Sequence, residues 1–233
     1  MMDQKGYIIN LDLMDYKEAL DLQHELWSKR VNDELPDMLL FLEHPHVITL
    51  GRRGDRSYLN VSQEILEAMK IPVFHVERGG EVTYHGPGQM VVYPILNLRE
   101  YGYRISRYVD QLEEVILHLL SDFGIEGERD PSKRGVWVRG EKIASIGVTI
   151  KRWVSFHGLS LNYETDLKYF SLIHPCGLKG VKMTSIAKIL ETKIPREQLV
   201  ERIHFHFKQA FKREWEEKQF IEFIADGSLS IDQ

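Results

Sequence analysis

The stretch GVWVRGEKIASIGVTIKRWVSFHGLSLNY, residues 135–163, constrains the fold more than any other part of the sequence. It reads as three consecutive strands broken at Arg139-Gly140 and at Lys151-Arg152, and each break suits a hairpin turn. Such a run satisfies its backbone groups by pairing as an antiparallel meander, which predicts a sheet of this kind at the centre of the molecule.

The flanking segments supply further strands and several helices. GYIINLDL alternates like a strand, and DYKEALDLQHELWSKRV then places Ala19, Leu22, Leu26 and Trp27 on one helical face. DMLLFLEHPHVITLG is β-rich with a proline interruption, GRRGDRS is a turn leading to a short helix near Ser62 to Lys70, and IPVFHVE is another strand. MVVYPILNL has a buried-strand pattern; the helix after it turns Val109, Leu112, Ile116, Leu119 and Phe123 inward and stops at Gly124. Thr184 to Leu190 and Pro195 to about Trp215 read as helices, the second opening on a proline whose missing N–H is harmless there. Strand-rich and helix-rich stretches that mix without alternating predict an α+β domain with a mixed or antiparallel sheet. With 233 residues and neither repeats nor a low-complexity linker, one domain over residues 1–215 is expected, residues 216–233 forming a tail that docks or frays.

A net charge of −5 argues against nucleic-acid binding, which would need a phosphate-neutralising basic surface. No run of about eighteen apolar residues is present, and residues 1–10 have neither the apolar stretch nor the cleavage site of an export signal, so a soluble cytoplasmic protein with no membrane association is expected. The single cysteine, Cys176, excludes an internal disulfide and any multi-cysteine metal cluster. Arg52, Arg53 and Arg56 form one basic cluster, read as a solvated face, and Lys179, Lys182 and Lys188 form another beyond Cys176.

Several segments have the composition of a reactive site. Arg78 to Gln89, RGGEVTYHGPGQ, holds four glycines among polar residues between two strands; it suits either a ligand loop or a long hairpin, and is neither a dinucleotide fingerprint nor a P-loop. Lys142 enters an apolar strand with small neighbours, either snorkelling or placed for chemistry. Gly158, within a strand, marks a close approach or a packed core glycine. Cys176 sits between Pro175 and Gly177 beside cationic residues, a context that favours the reactive thiolate, with His174 or His85 available as a base.

Together, RGGEVTYHGPGQMVVYPILNL, GEKIASIGV, FHGLSLN and HPCGL resemble, in this order, the motifs of the octanoyl-[acyl carrier protein]:protein N-octanoyltransferases of lipoate biosynthesis, over about Glu43 to Ile189. Ser160 stands where that family more often has alanine. The resemblance implies a biotin/lipoate ligase-like single domain, a mixed and largely antiparallel sheet flanked by helices. It implies transfer of an octanoyl group from octanoyl-acyl carrier protein, through a Cys176 thioester assisted by Lys142, to a lysine of a lipoyl domain in 2-oxoacid dehydrogenase complexes or of the glycine-cleavage H protein. Arg78, Gly79, Gly80, Glu81, Val82, Thr83, Tyr84, His85, Ser145, Ile146, Gly147, Gly158, Leu159 and Ser160 are expected to line the acyl pocket, and N–H groups near Gly177 and Gly79 or Gly80 to form an oxyanion site. Neither ATP nor a metal is expected. The alternatives are an ATP-dependent lipoate or biotin ligase of the same fold, a cysteine thioesterase, and a non-catalytic acyl-binding or carrier-binding module with an inert Cys176.

Overall fold

The computed structural model describes residues 5–174 and 180–225. Cys176 and Lys179 therefore lie outside the described residues, as do Pro175, Gly177 and Leu178.

Strand β1 (Gly6–Leu13), helix α1 (Tyr16–Val31) and strand β2 (Met38–Glu43) open the chain, followed by β3 (Val47–Leu50), α2 (Gln63–Ala68), β4 (Val73–His75), β5 (Val82–His85) and β6 (Gln89–Ile95). Helix α3 (Ile105–Asp122) leads into β7 (Glu128–Asp130), β8 (Lys133–Val138), β9 (Glu141–Lys151) and β10 (Val154–Asn162). The chain continues through α4 (Ile186–Leu190), α5 (Arg196–Phe211), β11 (Trp215–Lys218) and α6 (Phe220–Ala225). An eight-stranded sheet runs β11-β1-β2-β6-β10-β9-β8-β7. Its β11-β1-β2 edge is parallel and the other pairings are antiparallel, so the mixed, largely antiparallel sheet is present.

The central strands are buried on both faces, and strict alternation divides them between two cores. Leu39 and Phe41 of β2 and Met90 and Val92 of β6 join Leu112, Val115, Ile116 and Leu119 of α3 and Leu199, Ile203 and Phe207 of α5. Met38, Leu40 and Leu42 of β2 and Val91, Tyr93 and Ile95 of β6 face Ala19, Leu22 and Leu26 of α1 on the other side. Trp27, expected inward, is half-buried at the rim, its Nε1 donating to the Lys151 carbonyl at 3.3 Å.

Both hairpin turns of the meander fall where the sequence places them, and in each the two central residues have positive φ: Arg139 at 51° with Gly140 at 77°, and Arg152 at 51° with Trp153 at 70°. Helix α5 stops at Phe211, short of the expected end. Lys212 takes the left-handed conformation at φ 50°, and the chain turns to lay β11 beside β1, with Gly6 opposite Trp215. Gly6 is required there, since a Cβ would sit 2.4 Å from the Trp215 ring. The expected tail boundary at residue 215 falls inside this strand, and α6 docks through Phe223 into the α1-side core. A second, three-stranded sheet, β4-β3-β5, has its own core of Ile48, Leu50, Leu66, Val82 and Tyr84.

Candidate active site

Strand β9 is longer than its neighbour. Strand β8 pairs only with Glu141, Lys142 and Ala144, so from Ser145 onward β9 has a sheet edge free of β8. The loop after β4 closes over that edge, with the Gly79 N–H donating to the Val148 carbonyl at 3.0 Å. The space beside this edge is a cavity of about 750 Å³. Its walls are the loop and strand from Arg78 to His85, the stretch Pro131 to Arg134, Lys142 and Ser145 to Val148 of β9, His157 to Ser160 of β10, and Ile105 and Val109 at the start of α3.

Of the residues expected to line an acyl pocket, the cavity brings together Arg78, Gly79, Gly80, Glu81, Val82, Thr83, His85, Ser145, Ile146, Gly147, Gly158, Leu159 and Ser160. Tyr84 is not among them. Its side chain lies in the core of the small sheet, where its hydroxyl meets His46 Nδ1 at 2.7 Å and its ring stacks on Tyr169. Gly158 is explained from within the sheet, because a Cβ there would lie 2.0 Å from the Val92 carbonyl oxygen of β6. The Gly79 N–H, considered for an oxyanion site, is already engaged by Val148.

Arg78 is an organiser of the loop. Its guanidinium donates to Thr49 Oγ1 and to the carbonyls of Thr49 and Gly79, at 2.7 to 3.1 Å, stitching the RGG turn to β3. A charged fork satisfied by backbone acceptors fixes loop shape rather than presenting a cation to solvent.

Lys142 is 2% exposed, and its Nζ donates to the Arg134 carbonyl at 2.7 Å and lies 5.4 Å from the centre of the Trp137 ring. It reaches the cavity through a β-bulge. Val136 pairs with Ala144 but Trp137 with Lys142, so Ile143 is an extra residue in β9. Ala144, Ile146 and Val148 pack towards the α3 core, and regular alternation would send Lys142 there too. The bulge puts Ile143 and Ala144 both in that core and moves Lys142 to the other face, beside Trp137. Gly135 makes room: at φ 119°, a Cβ would lie 2.6 Å from Lys142 Cε and 2.4 Å from the Ala144 carbonyl oxygen. Behind Lys142, its N–H donates to the Lys182 carbonyl at 2.8 Å and its own carbonyl accepts from Thr184 N–H at 2.9 Å.

Another network stands behind the cavity. Gln89 Nε2 donates to the Tyr84 carbonyl and to Asn162 Oδ1, leaving its Oε1 as acceptor for His85 Nδ1–H at 2.6 Å; Asn162 Nδ2 donates to the Thr184 carbonyl. Burial lowers the His85 pKa to about 3, with neighbouring His44 adding to the effect. His44 bridges the Met14 carbonyl and the Tyr93 hydroxyl at 2.8 and 2.7 Å, and burial lowers it to about 4. His174, the other histidine considered as a base, borders a separate cavity of about 260 Å³. Sequence reasoning missed Tyr93, His157, Ile105 and Val109 as lining residues. His157 takes φ 54°, its N–H donating to Gln23 Oε1 at 2.8 Å and its Nε2 standing 3.8 Å from Glu77. Arg52 and Arg53, read as a solvated face, are exposed but at the cavity rim, Arg53 pairing with Glu81 at 2.9 Å. Among the described residues no group of three or more His, Asp or Glu is placed to hold a metal ion, and no helix is long and apolar enough to cross a membrane.

Known structures share this architecture. Lipoate-protein ligase A bound with ATP matches with a TM-score of 0.76 at 11% identity, over 93% of this chain and 90% of that one. The apo biotin protein ligase of Aquifex aeolicus matches more distantly, with a TM-score of 0.51 at 11% identity, over 89% of this chain and 69% of that one. At such identities the likeness establishes the biotin/lipoate ligase-like fold. The sequence goes further, because residues 15–208 match the lipoyl protein ligase A/B catalytic domain. An octanoyltransferase of Syntrophobacter fumaroxidans is 52% identical over 224 residues, which span 96% of this chain and 98% of the relative. One from Christiangramia forsetii is 38% identical over 230 residues, spanning 91% and 98%. The chain belongs to the lipoyl protein ligase A/B catalytic-domain family and, within it, to the octanoyltransferases, which are acyltransferases.

Proposed function

We propose that the chain moves an octanoyl group from an acyl carrier protein onto the Cys176 thiol and from there to the lysine amine of a lipoyl domain. The observation that carries this is the placement of Lys142, a buried amine on the wall of a cavity lined by the loop and strand segments of three of the four motifs. Its backbone is paired with Lys182 to Thr184, the segment that follows Cys176 in sequence.

The steps balance without an external energy source. The Cys176 thiolate attacks the donor thioester carbon, the bond to the carrier sulfur breaks, and the departing sulfur takes a proton from the Lys142 ammonium. The acceptor amine then attacks the acyl-enzyme, the bond to Cys176 breaks, and the amine proton goes to Lys142. Exchanging one thioester for another is nearly isoenergetic and amide formation runs downhill, so the reading includes neither ATP nor a metal. A thioesterase using His85 as base is disfavoured, because a ring with a pKa near 3 accepts a thiol proton poorly at neutral pH.

The test is intact mass after mixing the protein with octanoyl-acyl carrier protein, then adding an apo lipoyl domain. A mass increase of one octanoyl group that passes to the domain supports transfer. An acyl group lost to water at the same rate with and without the domain would establish the hydrolase instead.

A further inference from the structure

Helix α3 carries a carboxylate that the acyl-transfer chemistry does not use. Glu113 lies on the helix face that packs against β8, with Leu112 and Ile116 as neighbours, and is 2% exposed. A buried carboxylate needs partners. Glu113 Oε1 accepts the Gly135 N–H at 2.9 Å, and Oε2 faces Arg129 Nε at 3.3 Å and an Arg134 guanidinium nitrogen at 3.4 Å.

The Gly135 N–H and the Arg134 carbonyl belong to the same peptide unit. That unit is planar, and its N–H and C=O point in opposite directions. Glu113 therefore grips one end of the plane on which Lys142 Nζ rests at the other, 2.7 Å away. Rotating the plane to free either bond breaks the other. A charged acceptor on the N–H also polarises the carbonyl, which strengthens its hold on an ammonium. The Arg134 side chain is held as well, at 2.6 Å from Asp110 on the same helix.

We propose that Glu113 is a positioning residue for Lys142, acting through the Arg134–Gly135 peptide to aim the ammonium into the cavity. This rests on the reading of Lys142 as the proton-handling group of acyl transfer, so the experiment carries one readout that does not need the reaction.

The experiment compares the full-length wild type with Glu113→Gln and Glu113→Leu, measuring octanoyl transfer kinetics and the ¹⁵Nζ resonance of Lys142, assigned by its loss in Lys142→Arg. Gln keeps an oxygen for the Gly135 N–H without the charge, and both readouts change less than in the Leu variant. Leu removes it: kcat falls about tenfold to a hundredfold with KM nearly unchanged, as expected for a small misplacement of a reacting group, and the Lys142 resonance shifts and exchanges faster with water. If the Leu variant does not fold, Glu113→Asp takes its place; it retains the charge near Arg129 but falls one methylene short of Gly135, and gives the same two changes. Unchanged kcat, or a lower kcat with the Lys142 resonance unmoved, overturns the proposal. The resonance reports on positioning whichever reaction the chain performs, so a failure of the acyl-transfer reading shows separately.

Discussion

Lys142 and Gly135 are matched by exclusion: the lysine stem occupies the volume that any side chain at residue 135 would fill, with Cε 2.6 Å from where a Cβ would stand. Gly135→Ala is expected to cost about 1–3 kcal/mol from backbone strain at positive φ alone. Activity should fall further than that, because relief of the contact displaces the amine. Turnover measured well below the variant's melting temperature separates the two effects; full activity in a folded variant would mean that the amine position is not critical.

Cys176→Ala and Cys176→Ser should abolish the acyl-enzyme seen by mass and lower transfer by at least about a thousandfold, the scale of removing a covalent nucleophile. Circular dichroism should be unchanged. Near-normal transfer by the alanine variant ends the covalent mechanism.

Lys142→Ala should slow alkylation of the only thiol at neutral pH, since a cation nearby favours the thiolate. Lys142→Arg is expected to retain much of that reactivity but little turnover, because a group with a pKa above about 12 does not return protons. An unchanged thiol titration in the alanine variant would remove the electrostatic part of the account.

Acid should loosen the protein through its buried neutral histidines. His44 titrates near 6.5 when unfolded and at about 4 when folded. Between these values the unfolded chain binds the extra proton, so the stability His44 contributes is present above pH 6.5 and is lost as pH falls towards 4. His85 acts in the same direction down to about 3. Urea midpoints measured from pH 7 to pH 4 should fall less steeply in His44→Gln than in wild type, and parallel curves would show that His44 is not linked to folding.

Arg52 stands exposed at the cavity rim, and Lys182, also exposed, lends its carbonyl to Lys142. If an acidic carrier protein docks here, rim charges govern encounter more than the bound state, over a screening length of about 8 Å at physiological salt. Reversing Arg52, Lys179 and Lys182 to glutamate should lower kcat/KM for octanoyl-acyl carrier protein and flatten its salt dependence, while a small octanoyl thioester reacts nearly as before. Equal effects on both donors would discard the docking patch.

Periodicity and turn chemistry revealed the meander, because both hairpins announce themselves where the strand pattern breaks and the central strands alternate between two cores. Strand β11 was hidden: Trp-Glu-Glu-Lys has no apolar alternation, and Lys212 stops α5 in a conformation usually left to glycine. The motifs located most of the cavity wall, whereas Tyr84 packs in the core of the small sheet through contacts with His46 and Tyr169 that lie far from it in sequence and that no motif encodes. Val109 and Glu113 both sat on the apolar stripe of α3, at the spacing of one helical turn. A glutamate on such a stripe was the one available signal for a buried, partnered carboxylate. The role of Arg78 as a clamp on β3 depends on tertiary contacts with Thr49 that no local pattern encodes.

The bulge at Ile143 divides β9 into two stretches whose facing is set independently. Residues beyond it answer to the register with β10, which shapes the wall of the cavity; residues before it answer to β8 and carry the amine. Sequence change on one side can therefore reshape the space for an acyl chain without turning the lysine. Conversely, deleting Ile143 would leave Lys142 directly before Ala144 and opposite Trp137 in an uninterrupted ladder, on the face where the amine already stands, so the extra residue fills the α3 core without being needed to aim the lysine.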